Sequence, residues 1–299
     1  EVLNRFKVRA TVIRVLRSFF DQEKFLEVET PMLSSLPGGA LARPFETHYN
    51  ALDVDLYLRI APELHLKRLL VGGLERIYEL GKSFRNEGVD LRHNPEFTSI
   101  EWYAAYWNEN DMMECVERCF RHLFKALKLK NQLLFDDRPI SLKNTFRRLS
   151  FKEALKRHAL ILDYDGENRE AMVIRAKQLG LTPKSHESKA KIADEIYKKV
   201  CLPRIGDPTF VTNHPCEISP LAKGNPSNPD EVLRFQLVIG GLEVVNGFSE
   251  LNDPLEQRQR FLYQEEMRKA GDIESHPLDE DFIEALEYGM PPAAGAAIG

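Results

Sequence analysis

The stretch FRNEGVDLRHNPEFTSIEWY, residues 84–103, sets an arginine, carboxylates, a histidine and aromatic rings around one connection between two strand-like runs. Side chains alternate faces along a strand, so a strand over 77–87 projects Arg85 and Glu87 from one face. A returning strand over 96–103 likewise projects Phe97, Ser99, Glu101 and Tyr103 from one face. The eight residues between, 88–95, exceed a tight hairpin turn, and a long polar loop is more often functional than idle. If the two faces coincide, Arg85 can pair a phosphate oxygen, Phe97 can offer its ring to a purine, and His93 lies near the distal phosphates. Glu101 and Tyr103 then lie deeper in the same pocket. An isolated Arg–Glu pair on a strand is usually a solvated face, so the hairpin needs support from the rest of the chain.

That support starts with bulk properties. The chain has 299 residues, 43% hydrophobic and 29% charged, enough to bury a substantial core as one large or two smaller domains. No apolar run approaches the roughly 18 residues of a membrane span and no signal-peptide pattern opens the chain, so a cytosolic protein is expected. A net charge of −5 excludes broad coating of nucleic acid and confines any RNA contact to a local basic patch. Cys115, Cys119, Cys201 and Cys216 form no CxxC pair and are too few for a disulfide framework. Cys115 and Cys119 are one helical turn apart with His122 nearby, but no second ligand cluster accompanies them, and helix packing is the expected role.

Residues 6–23 are amphipathic at helical spacing through Val8, Val12, Val15, Leu16 and Phe19, and lead into FLEVETP, a short strand ending at Pro31. A second helix over 110–129 carries Met113, Val116, Phe120, Leu123 and Leu127 as a core stripe, with Asn110 or Asp111 as its cap. Ser150 and Glu153 have capping-box spacing, and charged helical patterns continue to about Val200. Residues 150–203 thus read as a helical insertion in an otherwise mixed sheet.

RFQLVIGGLEVVNGFSELND, residues 234–253, is the second informative region. Gly240 and Gly241 fit a two-residue hairpin turn that pairs Ile239 with Leu242 and Val238 with Glu243. In that register Gln236 and Glu243 share a face diagonally, near enough to grip one cation.

The hairpin over 84–103 resembles motif 2 of the class II aminoacyl-tRNA synthetases, and the helix, strand and proline up to Pro31 resemble motif 1, their dimer-forming element. With PGGA at 37–40, RIAPELHLKRL at 59–69 and NGFSELND at 246–253, the wording is similar to the lysyl-tRNA synthetase family over nearly the whole chain. The resemblance implies an α+β class II catalytic fold, a mostly antiparallel sheet flanked by helices, working as a homodimer. It implies ATP as co-substrate and magnesium as cofactor, and L-lysine and tRNA(Lys) as partners. Glu250 and Tyr103, supported by Glu101, would meet the ε-ammonium of lysine, and Glu63 with the Gly38–Gly39 backbone the α-ammonium. Asn246 and Arg85 would hold the carboxylate, and Phe248 would line the aliphatic stem. ATP would lie on Arg85, His93, Phe97 and Glu87, with magnesium on Glu243 and Gln236. Arg85 and Glu243 carry the catalytic burden in that reading, through orientation and charge stabilisation. Gln236 departs from the family, which has a carboxylate there; it keeps a coordinating oxygen but loses a charge. Asn246, Phe248 and Glu250 fall on the opposite parity from Glu243, so a β-bulge is expected between Val244 and Asn246.

Weighed alone, Glu63 in a first helical turn after Pro62 is favoured by the helix dipole whatever its function, and Phe248 reads as core. The family's anticodon-reading OB-fold is not matched, because EVLNRFKVRA already belongs to the catalytic core. GMPPAAGAAIG, 289–299, resembles the start of motif 3 and stops before its Asp-Arg pair, with Ala297 where a glycine is usual; a trimmed or partly ordered chain is expected. Two other functions fit the resemblance: the stand-alone paralogue that ligates a lysine-type amino acid to elongation factor P, and a noncatalytic paralogue with a binding or regulatory role. PGGA and GFSELND favour the synthetase over that ligase.

Overall fold

A computed structural model of the chain describes all residues except 41, 91, 92, 186, 270 and 272–274. The architecture is α+β, and the chain divides into two compact units, Phe20–Asn108 with Ser249–Gly299, and Glu1–Phe19 with Glu109–Phe248.

In the first of these, strands Leu26–Glu27, Arg76–Phe84, Glu96–Ala105 and Ala293–Ile298 lie side by side in that order. The first pair is parallel and the other two antiparallel. One face of strand Glu96–Ala105 is committed to the apolar core: Trp102 is fully buried against Phe20, which also stacks on Tyr78. Alternation then puts Phe97, Ser99, Glu101 and Tyr103 on the opposite face, as expected. Strand Arg76–Phe84 is shorter than the expected 77–87, so Arg85 and Glu87 lie beyond it rather than on its face. The reason is Pro95: Arg85 N–H still donates to the Pro95 carbonyl at 2.8 Å, but proline has no N–H to return the bond. The Asn86 amide turns away to the Arg43 carbonyl.

In the second unit, strands Arg147–Ser150, Thr209–Thr212, Arg234–Ile239 and Leu242–Ser249 are neighbours in that order, counted from Arg147. Gly240 and Gly241 both adopt positive φ, 61° and 76°, as a tight hairpin turn requires. They pair Ile239 with Leu242 and Val238 with Glu243, the expected register. The next pair is Leu237 with Val245, so Val244 is an extra residue and the expected bulge is present. The helices on this sheet begin as the sequence indicates. Ser150 accepts from the Glu153 amide and the Glu153 carboxylate accepts from the Ser150 amide, a full capping box, and helix Phe151–Ala154 follows. Helices Arg169–Gln178 and Lys189–Ile196, capped by Asn168 and Ser188, pack with it around Phe151, Leu155, Ile196 and Tyr197 against Leu149, Val211 and Val238.

Helix Val2–Gln22 starts four residues before the expected 6–23 span. Helix Glu109–Ala126 buries Cys115 and Cys119 with Met113, Val116 and Phe120. Its first residue is Glu109, so Asn110 and Asp111 are in the first turn and neither is the cap; Asn110 instead spends its amide on Glu109 and its carbonyl on Arg148.

Candidate active site

The unit of residues 20–108 and 249–299 buries several acids. Glu63, at the start of helix Glu63–Val71, Glu101 on its strand and Glu250 just past strand Leu242–Ser249 are all less than a tenth exposed. Such carboxylates have to be paired or neutral. Lys67, one helical turn after Glu63 and fully buried, supplies one partner: its Nζ lies 2.9 Å from Glu63 Oε1 and 2.6 Å from Glu250 Oε2. Tyr103 donates its hydroxyl to Glu101 at 3.3 Å. Glu250 Oε1 is buried and has no hydrogen-bond partner. It sits where strand Ala293–Ile298 has Gly295, and a Cβ there would fall 2.4 Å from that oxygen and 2.3 Å from the Tyr103 ring. Gly295 thus clears space for the Tyr103–Glu250 pair.

The electrostatics follow from burial. Burial lifts the Glu101 carboxyl to about 8, with Glu63 pushing in the same direction and Arg85 opposing. Burial and Glu63 raise Glu250, while the Lys67 ion pair favours its ionised form. Burial, then Glu63, Glu101 and Glu250, hold the Tyr103 hydroxyl far up, so it remains a hydrogen-bond donor. Burial alone would lower Lys67, but Glu250 and Glu63 more than offset it and keep the ammonium charged. A fourth acid, Glu79, is directly opposite Glu101 across the ladder, an unfavourable like-charge pairing. It is drawn off by Arg59 and by the Thr30 hydroxyl, which donates at 2.6 Å. The cluster is therefore rich in acceptors, its carboxylates joined by a tyrosine oxygen whose own proton goes to Glu101, and is suited to a buried cation.

Further along the same face, the Arg85 guanidinium lies 5.1 Å over the Phe97 ring centroid, a cation–π contact. Its Nε points to the Ile60 carbonyl at 3.4 Å. Arg85 and Phe97 are both half-buried, and Glu87 is exposed. His93 is exposed and tied to Asp90, whose carboxylate lies 2.8 Å from the ring Nδ1 and accepts the His93 amide at 2.8 Å. Gly39 takes positive φ, 87°, and Gly38 has Leu64 so close that a Cβ would lie 2.5 Å from Cδ1. This PGGA turn brings bare backbone against the start of the Glu63 helix.

In the unit of residues 1–19 and 109–248, the bulge at Val244 turns Asn246 into the direct partner of Gln236. Gln236, 1% exposed, donates its amide Nε2 to Glu243 at 2.8 Å. Only the amide nitrogen can donate to a carboxylate, so the orientation is fixed and Gln236 Oε1 is left buried without a partner. An orphaned oxygen beside a carboxylate fits a hard cation. Among the described residues no cluster of three or more His, Cys, Asp or Glu could cage a metal, so any magnesium here would draw further ligands from water or a phosphate. Arg234 donates its Nε to Asn246 Oδ1 at 2.8 Å, which leaves the Asn246 amide hydrogens as the presented end. Phe248 shares that face two residues on.

Lys67, Arg59 and Arg234 were not singled out by the sequence. Lys67 and Glu63 have the i,i+4 spacing of an ordinary surface pair, and only the apolar flanks Leu64, Leu66 and Leu70 signal that this helix is buried.

The buried acids and the Arg85–Phe97 stack belong to one unit, and the Gln236–Glu243 hairpin belongs to the other. The whole chain, residues 1–299, matches the family described as tRNA synthetases class II (D, K and N), and the chain belongs to it. Among individual proteins it is similar to the lysine–tRNA ligase of Carboxydothermus hydrogenoformans, 46% identical over 300 residues, covering 100% of this chain and 61% of that protein. The lysine–tRNA ligases of Legionella pneumophila, 47% over 295 residues, and Shigella boydii, 45% over 300, cover 60% and 59% of their own lengths. The chain thus spans about 60% of the length of the curated relatives it matches.

Proposed function

We propose that this chain is the catalytic core of a ligase that activates L-lysine with ATP to lysyl-adenylate and transfers it to the 3′ end of tRNA(Lys). The observation that carries the reading is the buried acidic cluster around Glu250 Oε1, a carboxylate oxygen without a hydrogen-bond partner that lies with the Tyr103 ring at Gly295, with Glu63 a second carboxylate joined to it through Lys67. Of the three amino acids named by the family, only lysine brings a side-chain cation. The names of the relatives support the same choice.

Glu250 and Tyr103, backed by Glu101, receive the ε-ammonium; Glu63 and the Gly38 backbone receive the α-ammonium. Arg85 neutralises the substrate carboxylate and the α-phosphate, and Phe97 offers its ring to adenine with Glu87 at the amino edge. His93, its ring oriented by Asp90, serves the distal phosphates. In the other unit Asn246 presents an amide donor suited to a carboxylate, and Phe248 an apolar surface suited to an alkyl chain. A carboxylate oxygen of lysine attacks the α-phosphorus in line, the bond to the bridging oxygen breaks, and pyrophosphate leaves with its electron pair. No side chain acts as nucleophile, so orientation and charge stabilisation supply the rate. Magnesium, when bound, would be held by Glu243 and Gln236 Oε1 and would neutralise charge on the phosphates.

A homodimer and a cytoplasmic location complete the reading. Val2, Leu3 and Phe6 of the first helix are each about two-thirds exposed, an apolar stripe of the kind a partner covers. Among the described residues no helix is long and apolar enough to cross a membrane. The test is lysine-dependent exchange of pyrophosphate into ATP by the complete gene product. Exchange at saturating lysine and magnesium supports the proposal, and its absence sinks the enzyme reading.

A further inference from the structure

Lys67 has no place in the chemistry just described, yet it is fully buried at the centre of the acidic cluster. Its ammonium joins Glu63, on its own helix, to Glu250, which arrives from the far end of the chain. As glue this is inefficient: a buried ion pair is often less stabilising than apolar side chains of the same volume. Lys67 is buried on the same helix as Leu64, Leu66 and Leu70, where an apolar residue would suit. What an apolar residue could not do is fix two acids. Lys67 lies on Glu250 Oε2, while Oε1, without a hydrogen-bond partner, is packed with the Tyr103 ring in the room that the missing side chain of Gly295 leaves.

Resting on the lysine reading, we infer that Lys67 is a positioning residue for amino-acid selection: it holds Glu63 and Glu250 by one oxygen each and presents them as receptors for a substrate cationic at both ends. Its charge also limits repulsion within the cluster, where Glu63 disfavours the ionisation of Glu101 and of Glu250, and Glu101 that of Glu250. His276, buried nearby, adds no second cation, because burial and then Lys67 itself pull its pKa down to about 4. Lys67 is thus the ammonium shared by Glu63 and Glu250, and a ligand cation would favour ionisation of the Glu101 carboxyl that burial holds protonated.

The test is Lys67→Met, which keeps the stem and removes the charge, assayed by exchange in the complete gene product. Removing one partner of a buried pair leaves the other uncompensated, so KM for lysine should rise about 100-fold. KM for ATP should stay within about threefold, since Arg85 and Phe97 are untouched. An unchanged KM for lysine, or equal losses for lysine and ATP, overturns the inference. If the variant does not fold, the wild-type structure with lysine bound decides. Lys67 still spanning both acids supports the role, and Lys67 swung away from them refutes it. Failure of this inference is distinct from failure of the functional reading: in the latter the wild type itself shows no lysine-dependent exchange.

Discussion

Replacing Gly295 with alanine adds one methyl group at the tightest point of the site. The new Cβ would stand 2.3 and 2.5 Å from two carbons of the Tyr103 ring and 2.4 Å from Glu250 Oε1. Non-bonded heavy atoms settle at about 3.5–4.0 Å, so something must move by about 1 Å. Tyr103 is 3% exposed and Glu250 1%, so neither can swing into solvent. Gly295 is directly paired with Tyr103 across the ladder, so the strand itself resists the shift. Overpacking of this kind costs about 1–3 kcal/mol of stability. Its functional cost falls on Glu250 Oε1, the oxygen proposed to receive the ε-ammonium: a misplacement of about 1 Å is worth about 100-fold, or about 2.8 kcal/mol. Gly295→Ala should therefore raise KM for lysine about 100-fold in pyrophosphate exchange while KM for ATP changes little. Gly206→Ala, whose Cβ meets nothing within 4 Å, is the matched control and should be neutral. A Gly295→Ala enzyme with wild-type KM for lysine would refute the assignment of Tyr103 and Glu250 to the substrate.

Phe97→Ala removes the surface that carries Arg85, and KM for ATP should rise by at least about tenfold, for a stacking loss of about 1.5 kcal/mol; an unchanged value would remove Phe97 from the nucleotide site. Gln236→Glu exchanges a hydrogen bond to Glu243 for a second negative charge. It should lower the magnesium concentration for half-maximal exchange, and a magnesium titration that moves upward or not at all would contradict a metal at this pair. Glu101, lifted to about 8 by burial and Glu63, carries a proton at pH 7 that an unfolded carboxyl, near about 4.3, would have lost. The folded state then binds more protons between those values, so this group's contribution to stability falls as pH rises through that window. An arriving ammonium favours the ionised form, so lysine binding at pH 7 should release protons. Calorimetry in buffers of different ionisation enthalpy reads this directly, and net proton uptake would overturn it.

The hairpin at Gly240–Gly241 was legible because two glycines of positive φ admit one tight turn and period-two alternation then fixes every partner. The Val244 bulge was legible only as a conflict of parity, which an inserted residue resolves. The capping box at Ser150 and Glu153 is a local device and was read directly. Strand ends were not: the early end at Phe84 depends on Pro95 across the ladder, a pairing that sequence spacing does not display. The start of the helix at Glu109 was missed because Asn110 has competing bonds to Glu109 and Arg148. Lys67 was illegible for a deeper reason. Its second acid, Glu250, lies at the other end of the chain, and a Glu–Lys pair one turn apart otherwise marks a solvated helix face. The division into two units, each assembled from separated segments, likewise follows from contacts that no local pattern encodes.

The central claim is that buried acids around Glu250 choose the amino acid. Its most direct test compares lysine-, aspartate- and asparagine-dependent pyrophosphate exchange on one preparation of the complete gene product. The account predicts exchange with lysine and none above background with the other two. Exchange driven by aspartate or asparagine, or equally by all three, would contradict it.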